Sequence, residues 1–165
     1  MHVSHIIAIE ADDYDEAVSS VDYCLNGGWE GENNFPWSDW SQVGGRWVDE
    51  FGEGKNALCY ADDPDRFNSC VKMMVGKREE QLDEYLRIAK KSGLDLDNIK
   101  EKGKEDHYAN GVWSLGKAMS IIIGDSASDA YFYDLVDYTE SDEYLQERIK
   151  TDPSHQWIVV VDFHF

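Results

Sequence analysis

The segment Gln156–Phe165, with the sequence QWIVVVDFHF, decides the fold of this chain. Its centre, Ile158–Val161, is apolar at every position, as expected of a strand that is covered on both faces. Asp162 and His164 follow two residues apart, and alternate residues of a strand point to the same face. The segment therefore predicts a buried strand with a polar pair at its end.

A second strand of this kind is predicted near the start of the chain. Residues Val3–Ala11 are apolar on both alternations, and the residues from Asp13 to Asn26 repeat at helical spacing. Asp12 or Asp13 can cap that helix, and Gly27-Gly28 ends it. The chain thus opens with a strand followed by a helix.

The order of the predicted elements indicates a single α+β domain over residues 1–165. Its simplest form is a ferredoxin-like two-layer sandwich, with a mostly antiparallel sheet and helices on one face. The first and last strands are then antiparallel neighbours. An Asn110-Gly111 pair predicts a hairpin between Tyr108 and Trp113. Residues 92–106 are expected to form a charged insert, and the role of residues 55–105 stays open.

The charge balance limits the partners of this protein. The chain holds 34 acidic and 15 basic residues, for a net charge of -19. Phosphate contacts need Lys and Arg, so direct binding to nucleic acid is not expected. Solubility explains such a surface most simply. Two sharper interpretations are attraction to a basic host protein and mimicry of a DNA surface.

The sequence also indicates the compartment. No apolar run approaches the ~20 residues of a membrane span, so no membrane contact is expected. The first residues lack the basic start and the long apolar run of a signal peptide. Cys24, Cys59 and Cys70 are scattered and have no C-x-x-C spacing, which favours reduced thiols over a zinc site. We therefore expect a cytoplasmic protein.

One candidate ligand site surrounds Arg46. This arginine follows Gly44-Gly45 and lies between Trp40 and Trp47. Free backbone N–H groups at the glycines and the guanidinium suit a phosphate or carboxylate, and a tryptophan face can stack a base. The alternative is an aromatic mini-core in which the arginine stacks on a tryptophan and pairs with a nearby acid.

A second candidate site lies at the polar end of the last strand. If the first strand pairs antiparallel with the last, His2 or His5 approaches Asp162 and His164. His5, Asp162 and His164 are then candidate ligands of a divalent metal, or an acid–base group without metal. The alternative is structural: the aspartate fixes one histidine tautomer and satisfies buried polar groups.

Three segments form a set: WSDWSQVGGRW at 37–47, NGVW at 110–113 and VVVDFH at 159–164. Together they resemble a family of small, uncharacterised proteins of tailed phages and bacteria with a W-x-x-[IV]-G-G-R-W segment, a strand ending in G-x-W and a final V-D-x-H. The matching positions are Trp40, Val43, Gly44, Gly45, Arg46, Trp47, Gly111, Trp113, Val161, Asp162 and His164. The resemblance implies a phage or phage-derived gene that works in the host cytoplasm, and it implies no activity. Small phage proteins of this kind are often counter-defence factors.

The leading hypothesis is a phage-type accessory protein that acts by binding, without chemistry of its own. Its partner is either a host protein or a small anionic, nucleotide-like ligand. The enzyme alternative is a metal-dependent hydrolase or phosphodiesterase that uses the His/Asp cluster, and the third alternative is an acidic DNA mimic. Exposed tryptophans would favour a homo-oligomer.

Overall fold

The structure, a computed structural model, describes residues 2–27, 38–95, 97–104, 111–122 and 130–164. The chain divides into two compact units. The first comprises residues 1–76 and 129–165, and the second comprises residues 77–128. Among the described residues, no helix combines the length and apolar character needed to cross a membrane.

The first unit is built on a five-stranded sheet. Its strands are β1 (His2–Glu10), β2 (Trp40–Val43), β3 (Ala57–Cys59), β4 (Ala130–Asp134) and β5 (Gln156–His164). The order is β2-β5-β1-β4, and β3 also pairs with β5. Strands β1 and β5 are antiparallel along their whole length, from His2 opposite His164 to Glu10 opposite Gln156. The predicted pairing of the first and last strands is confirmed.

The sheet is mixed, which corrects the prediction of a mostly antiparallel, ferredoxin-like sheet. β5 is antiparallel to β1, β2 and β3, but β4 runs parallel to β1. The direction of β4 depends on the path by which the chain returns to the sheet, and no local pattern in the strand encodes that path.

Helices cover both faces of the sheet, where the sequence prediction placed them on one. α1 (Tyr14–Leu25) lies on the face of Trp157, whose ring meets Tyr14 edge-on at 6.3 Å. On the opposite face, α2 (Pro64–Lys91) and α5 (Glu143–Thr151) contribute to one buried cluster. That cluster comprises Ile6, Ala8, Phe51, Leu58, Phe67, Cys70, Val71, Met74, Phe132, Leu145, Ile149, Ile158 and Val160. The apolar character of β1 and β5 on both alternations requires this double cover.

The second unit contains the C-terminal part of α2, α3 (Ile99–Lys102) and α4 (Val112–Ile122). The predicted hairpin is wrong at Trp113, because α4 begins at Val112; Tyr108 and Asn110 lie outside the described residues. Ser114, Ala118 and Ile121 are the buried residues of α4, and their spacing is helical. The predicted charged insert at 92–106 falls in this unit and includes α3.

Candidate functional site

Polar side chains collect on one face of the sheet, where β1 begins and β5 ends. Directly opposed residues of antiparallel strands share a face, so two cross-strand rows form. Trp40, His164 and His2 make the outer row, and Gln42, Asp162 and Ser4 make the inner row. Further along β1 and β5 the same face carries the apolar cluster under α2 and α5. We call the six residues of the outer and inner rows the histidine end of the sheet.

Asp162 is the buried centre of the histidine end, with only 1% of its surface exposed. One carboxylate oxygen lies 2.9 Å from Nδ1 of His2. The other accepts a hydrogen bond from the backbone N–H of Arg46 at 3.2 Å. These two donors replace the water that a buried carboxylate has lost.

The Gly44-Gly45 turn folds around this carboxylate. The edge strand beside β5 stops at Gly44, whose N–H donates to the carbonyl of Val160 at 2.8 Å. It resumes at Asn56, whose carbonyl accepts the N–H of Val160 at 2.9 Å. Residues 45–55 therefore leave and rejoin the sheet as a loop at its edge. Strand β2 ends at Val43, directly before the two glycines.

Gly45 is required at this turn for two reasons. Its φ of 53° lies in the left-handed region, which side chains other than glycine rarely adopt. A Cβ atom on Gly45 would also stand 2.4 Å from Cβ of Asp162. The segments WSQVGGRW and VVVDFH, which are far apart in the sequence, thus pack directly against each other.

The backbone N–H groups expected to bind an external anion are largely used inside the protein. Gly44 donates to Val160, Arg46 donates to Asp162, and Trp47 donates to the carbonyl of Gly44 at 2.9 Å. Asp162 supplies the negative charge in this turn. Sequence reasoning missed this contact, because it joins residues 116 positions apart.

The side chain of Arg46, in contrast, is exposed. Within the described part of the chain its guanidinium has no hydrogen bond, ion pair or ring contact. Two acids near it in sequence bond other groups. Asp39 bonds His164 at 2.7 Å, and Asp49 accepts the N–H of Gly54 at 2.7 Å.

The two tryptophans of the candidate ligand site differ in their surroundings. Trp40 is 43% exposed, and its ring meets His2 edge-on at 5.6 Å. Trp47 is half-buried and packs against the apolar cluster beneath α2. Trp40 is therefore the more exposed of the two rings and the better placed to stack on a planar ligand.

Each of the two histidines of the histidine end pairs with a carboxylate. His2 pairs with the buried Asp162, and His164 pairs through Nδ1 with the exposed Asp39. The hydrogen bond from His164 lowers the pKa of Asp39. The two imidazole rings lie 4.8 Å apart, centre to centre. Both rings are open to solvent, with side-chain exposures of 25% for His2 and 38% for His164.

His5 does not join this group. It stands opposite Val161, so its side chain lies on the other face of the sheet from Asp162 and His164. There it is fully buried, with its ring 4.7 Å from that of Phe163. Among the described residues, no set of three His, Cys, Asp or Glu side chains is arranged to hold a metal ion.

A second buried carboxylate, Asp134, lies at the opposite end of the sheet. Both of its oxygens accept from one guanidinium nitrogen of Arg148, at 2.9 and 2.8 Å. Arg148 also bonds Asp137, and its Nε donates to the side chain of Gln156 at 3.0 Å. Burial raises the pKa of Asp134, and the bonds from Arg148 oppose that rise.

Comparison of this chain with family models, with curated proteins and with solved structures finds no match. The functional argument therefore depends on the residues of the histidine end and of the adjoining turn.

Proposed function

We propose that this is a phage-type accessory protein that acts by binding a small anionic, nucleotide-like ligand at the histidine end of its sheet. The observation that carries the proposal is the exposed guanidinium of Arg46, which has no partner within the described residues. Asp39 and Asp49, two acids near it in sequence, bond other groups, which leaves this cation available to a ligand.

Local charge supports an anionic ligand at this place. A protein of net charge -19 repels anions at long range, so an anion site needs cations and N–H donors held close together. Arg46 offers a planar fork of donors that matches the oxygens of a phosphate. His2 and His164 lie on the same face and add two imidazoles, which act as donors when protonated.

The aromatic surroundings support a ligand with a planar part. Trp40 is exposed in the outer row, directly beside His164 across the strands. Aromatic faces stack bases with about 1–3 kcal/mol for each stacked base. A phosphate at Arg46 and a base on Trp40 together describe a nucleotide-like molecule.

The anchoring of the turn explains how Arg46 is positioned. Its own N–H is tied to Asp162, which is itself buried in the sheet. The side chain thus starts from a fixed backbone, which reduces the entropy lost when it binds a ligand.

A host protein is the second candidate partner, and the excess of acidic residues favours it. A basic partner surface would be drawn to this protein at low ionic strength. A counter-defence role and DNA mimicry both belong to this alternative. The metal-dependent hydrolase built on His5 gains no support, since His5 faces away from Asp162 and His164.

Isothermal titration with adenosine 5′-monophosphate tests the proposal. We expect saturable binding that falls about tenfold or more in Arg46→Gln, which corresponds to ~1.4 kcal/mol. Arg87→Gln is the matched control, because it removes the same charge from an exposed arginine that pairs with Glu84. Equal affinities of the two variants, or no binding by the native protein, would refute the proposal.

A further inference from the structure

The two histidine–carboxylate pairs, His2 with Asp162 and His164 with Asp39, fix the tautomer of each ring, which binding of an anion does not require. In each pair a carboxylate accepts at Nδ1, which places the proton of a neutral ring on that nitrogen. Nε2 is then left as the basic nitrogen. Within the described residues, no group bonds Nε2 of His2 or of His164.

The two rings are close enough to act on one bound group. The centres of His2 and His164 are 4.8 Å apart in an edge-on arrangement, with 63° between the ring planes, on neighbouring strands and on the same face. Two such groups can flank one tetrahedral centre, with one taking a proton while the other gives one. The exposed Arg46 and the adjoining turn lie beside this pair, because the N–H of Arg46 bonds the same Asp162 that holds His2.

We propose that His2 and His164 form the acid–base pair of a metal-independent phosphodiesterase that acts on small nucleotide phosphodiesters. The inference rests on the proposed function, since it assigns chemistry to the same anion site. Arg46 holds the non-bridging oxygens of the phosphodiester. His2, backed by the buried Asp162, is the base, and His164, backed by Asp39, is the acid.

The proposed step is balanced in atoms and charge. Nε2 of neutral His2 takes a proton from water as the water oxygen bonds to phosphorus. The bond from phosphorus to the leaving oxygen breaks, and that oxygen takes a proton from Nε2 of protonated His164. The products are a phosphomonoester and an alcohol, and proton exchange with solvent restores both rings. Arg46 stabilises the negative charge that grows on the phosphoryl oxygens.

The buried and the exposed carboxylate have the same role in the two halves of this pair. Asp162 and Asp39 hold the two rings in a fixed orientation, and neither needs to become protonated. The charged groups that bond the rings are Asp162 of β5 and Asp39, which directly precedes β2. The backbone N–H of Arg46 bonds the same Asp162. Activity that needs one neutral and one protonated imidazole has a bell-shaped dependence on pH.

The test uses the full chain in EDTA with two probes, bis(p-nitrophenyl) phosphate and 2′,3′-cyclic AMP. We expect turnover of both probes, and a loss of about 100-fold or more with both in His2→Asn. With 2′,3′-cyclic AMP, whose leaving alkoxide needs a proton, we expect a bell-shaped pH profile and a similar loss in His164→Asn, whereas p-nitrophenolate leaves without that proton. The matched control is His155→Asn. This exposed histidine also bonds a carboxylate, that of Asp152 at 2.8 Å, but belongs to the opposite end of β5 and should leave turnover unchanged.

Other outcomes separate this inference from the proposed function. Binding of adenosine 5′-monophosphate without turnover of either probe overturns the phosphodiesterase and leaves the binding proposal in place. Absence of both binding and turnover overturns the two together. Turnover that stops in EDTA and returns with a metal ion overturns the metal-independent step.

Folding of the variants is checked by thermal unfolding. If His2→Asn does not fold, Asp39→Asn replaces it as the decisive variant, because Asp39 is exposed and lies outside the strands. We expect this substitution to lower turnover about tenfold or more and to change the limb of the pH profile that reports His164. An unchanged rate and profile would contradict the role assigned to His164.

Discussion

Each end of the sheet buries an aspartate, and the two aspartates differ in their hydrogen-bond partners. Asp134 is fully enclosed and is neutralised by Arg148, a permanent cation that also bonds Asp137 and Gln156. Asp162 is equally buried, but its partners are a backbone N–H and His2, which is half-buried and titratable. The first end uses up its hydrogen-bonding capacity inside the protein. The second leaves ring nitrogens and a guanidinium facing outward, as a binding surface requires.

Removal of Arg148 is expected to have the largest effect. Arg148→Met leaves Asp134 buried without its counter-ion, which costs about 3–5 kcal/mol in the free energy of unfolding. Urea unfolding followed by circular dichroism measures this loss. The double variant with Asp134→Asn should recover part of the stability, because no unpaired charge then remains. A loss below about 1 kcal/mol would show that Asp134 does not depend on Arg148 as its counter-ion, and the contrast between the two ends would fail.

Gly45→Ala is expected to have the next largest effect, because it disturbs the turn that packs against Asp162. The left-handed φ and the close approach of Asp162 together cost about 2–3 kcal/mol in the free energy of unfolding. Gly54→Ala separates the two causes, since Gly54 has a φ of 69° and open space around its Cβ position. It should lose only about 1 kcal/mol. Equal losses at the two glycines would mean that the contact with Asp162 carries no energy.

The smallest effect concerns Asp39 and pH. Its pKa in the folded protein is lowered by the hydrogen bond from His164. A lowered folded pKa stabilises the protein above the unfolded pKa, and this contribution is lost as pH falls through the folded pKa. Stability curves of the native protein and Asp39→Asn should therefore differ slightly at neutral pH and converge as the pH falls through the folded pKa of Asp39, which lies below the ordinary aspartate value. A difference that persists unchanged as the pH falls through the carboxylate range would contradict the assignment.

The pairing of the first and last strands was predictable, but the register was not. Both segments are apolar on both alternations, so each must lie inside the sheet. A shift of one residue would exchange the faces of His2 and His5 relative to Asp162. Nothing in the two apolar segments distinguishes those registers. The sequence therefore indicated a histidine beside Asp162 and left open which of the two it was.

The Gly-Gly-Arg turn also depends on a contact that its local sequence does not predict. Two adjacent glycines are typical of a turn, and strand β2 ends at Val43, directly before them. The carboxylate that fills the turn comes from Asp162, far along the chain, and no local pattern announces it. Likewise, the bonds of Arg148 to Asp134 join a helix to a strand end without any motif. Contacts of this kind follow from tertiary structure alone.

The most direct test of the central claim is a ¹H–¹³C correlation spectrum of the imidazole groups during titration with adenosine 5′-monophosphate. The account predicts that the signals of His2 and His164 shift, while those of His5 and His155 stay in place, and that Arg46→Gln removes the shifts. Shifts at His155 with none at His2 and His164 would contradict it, as would shifts that persist unchanged in Arg46→Gln.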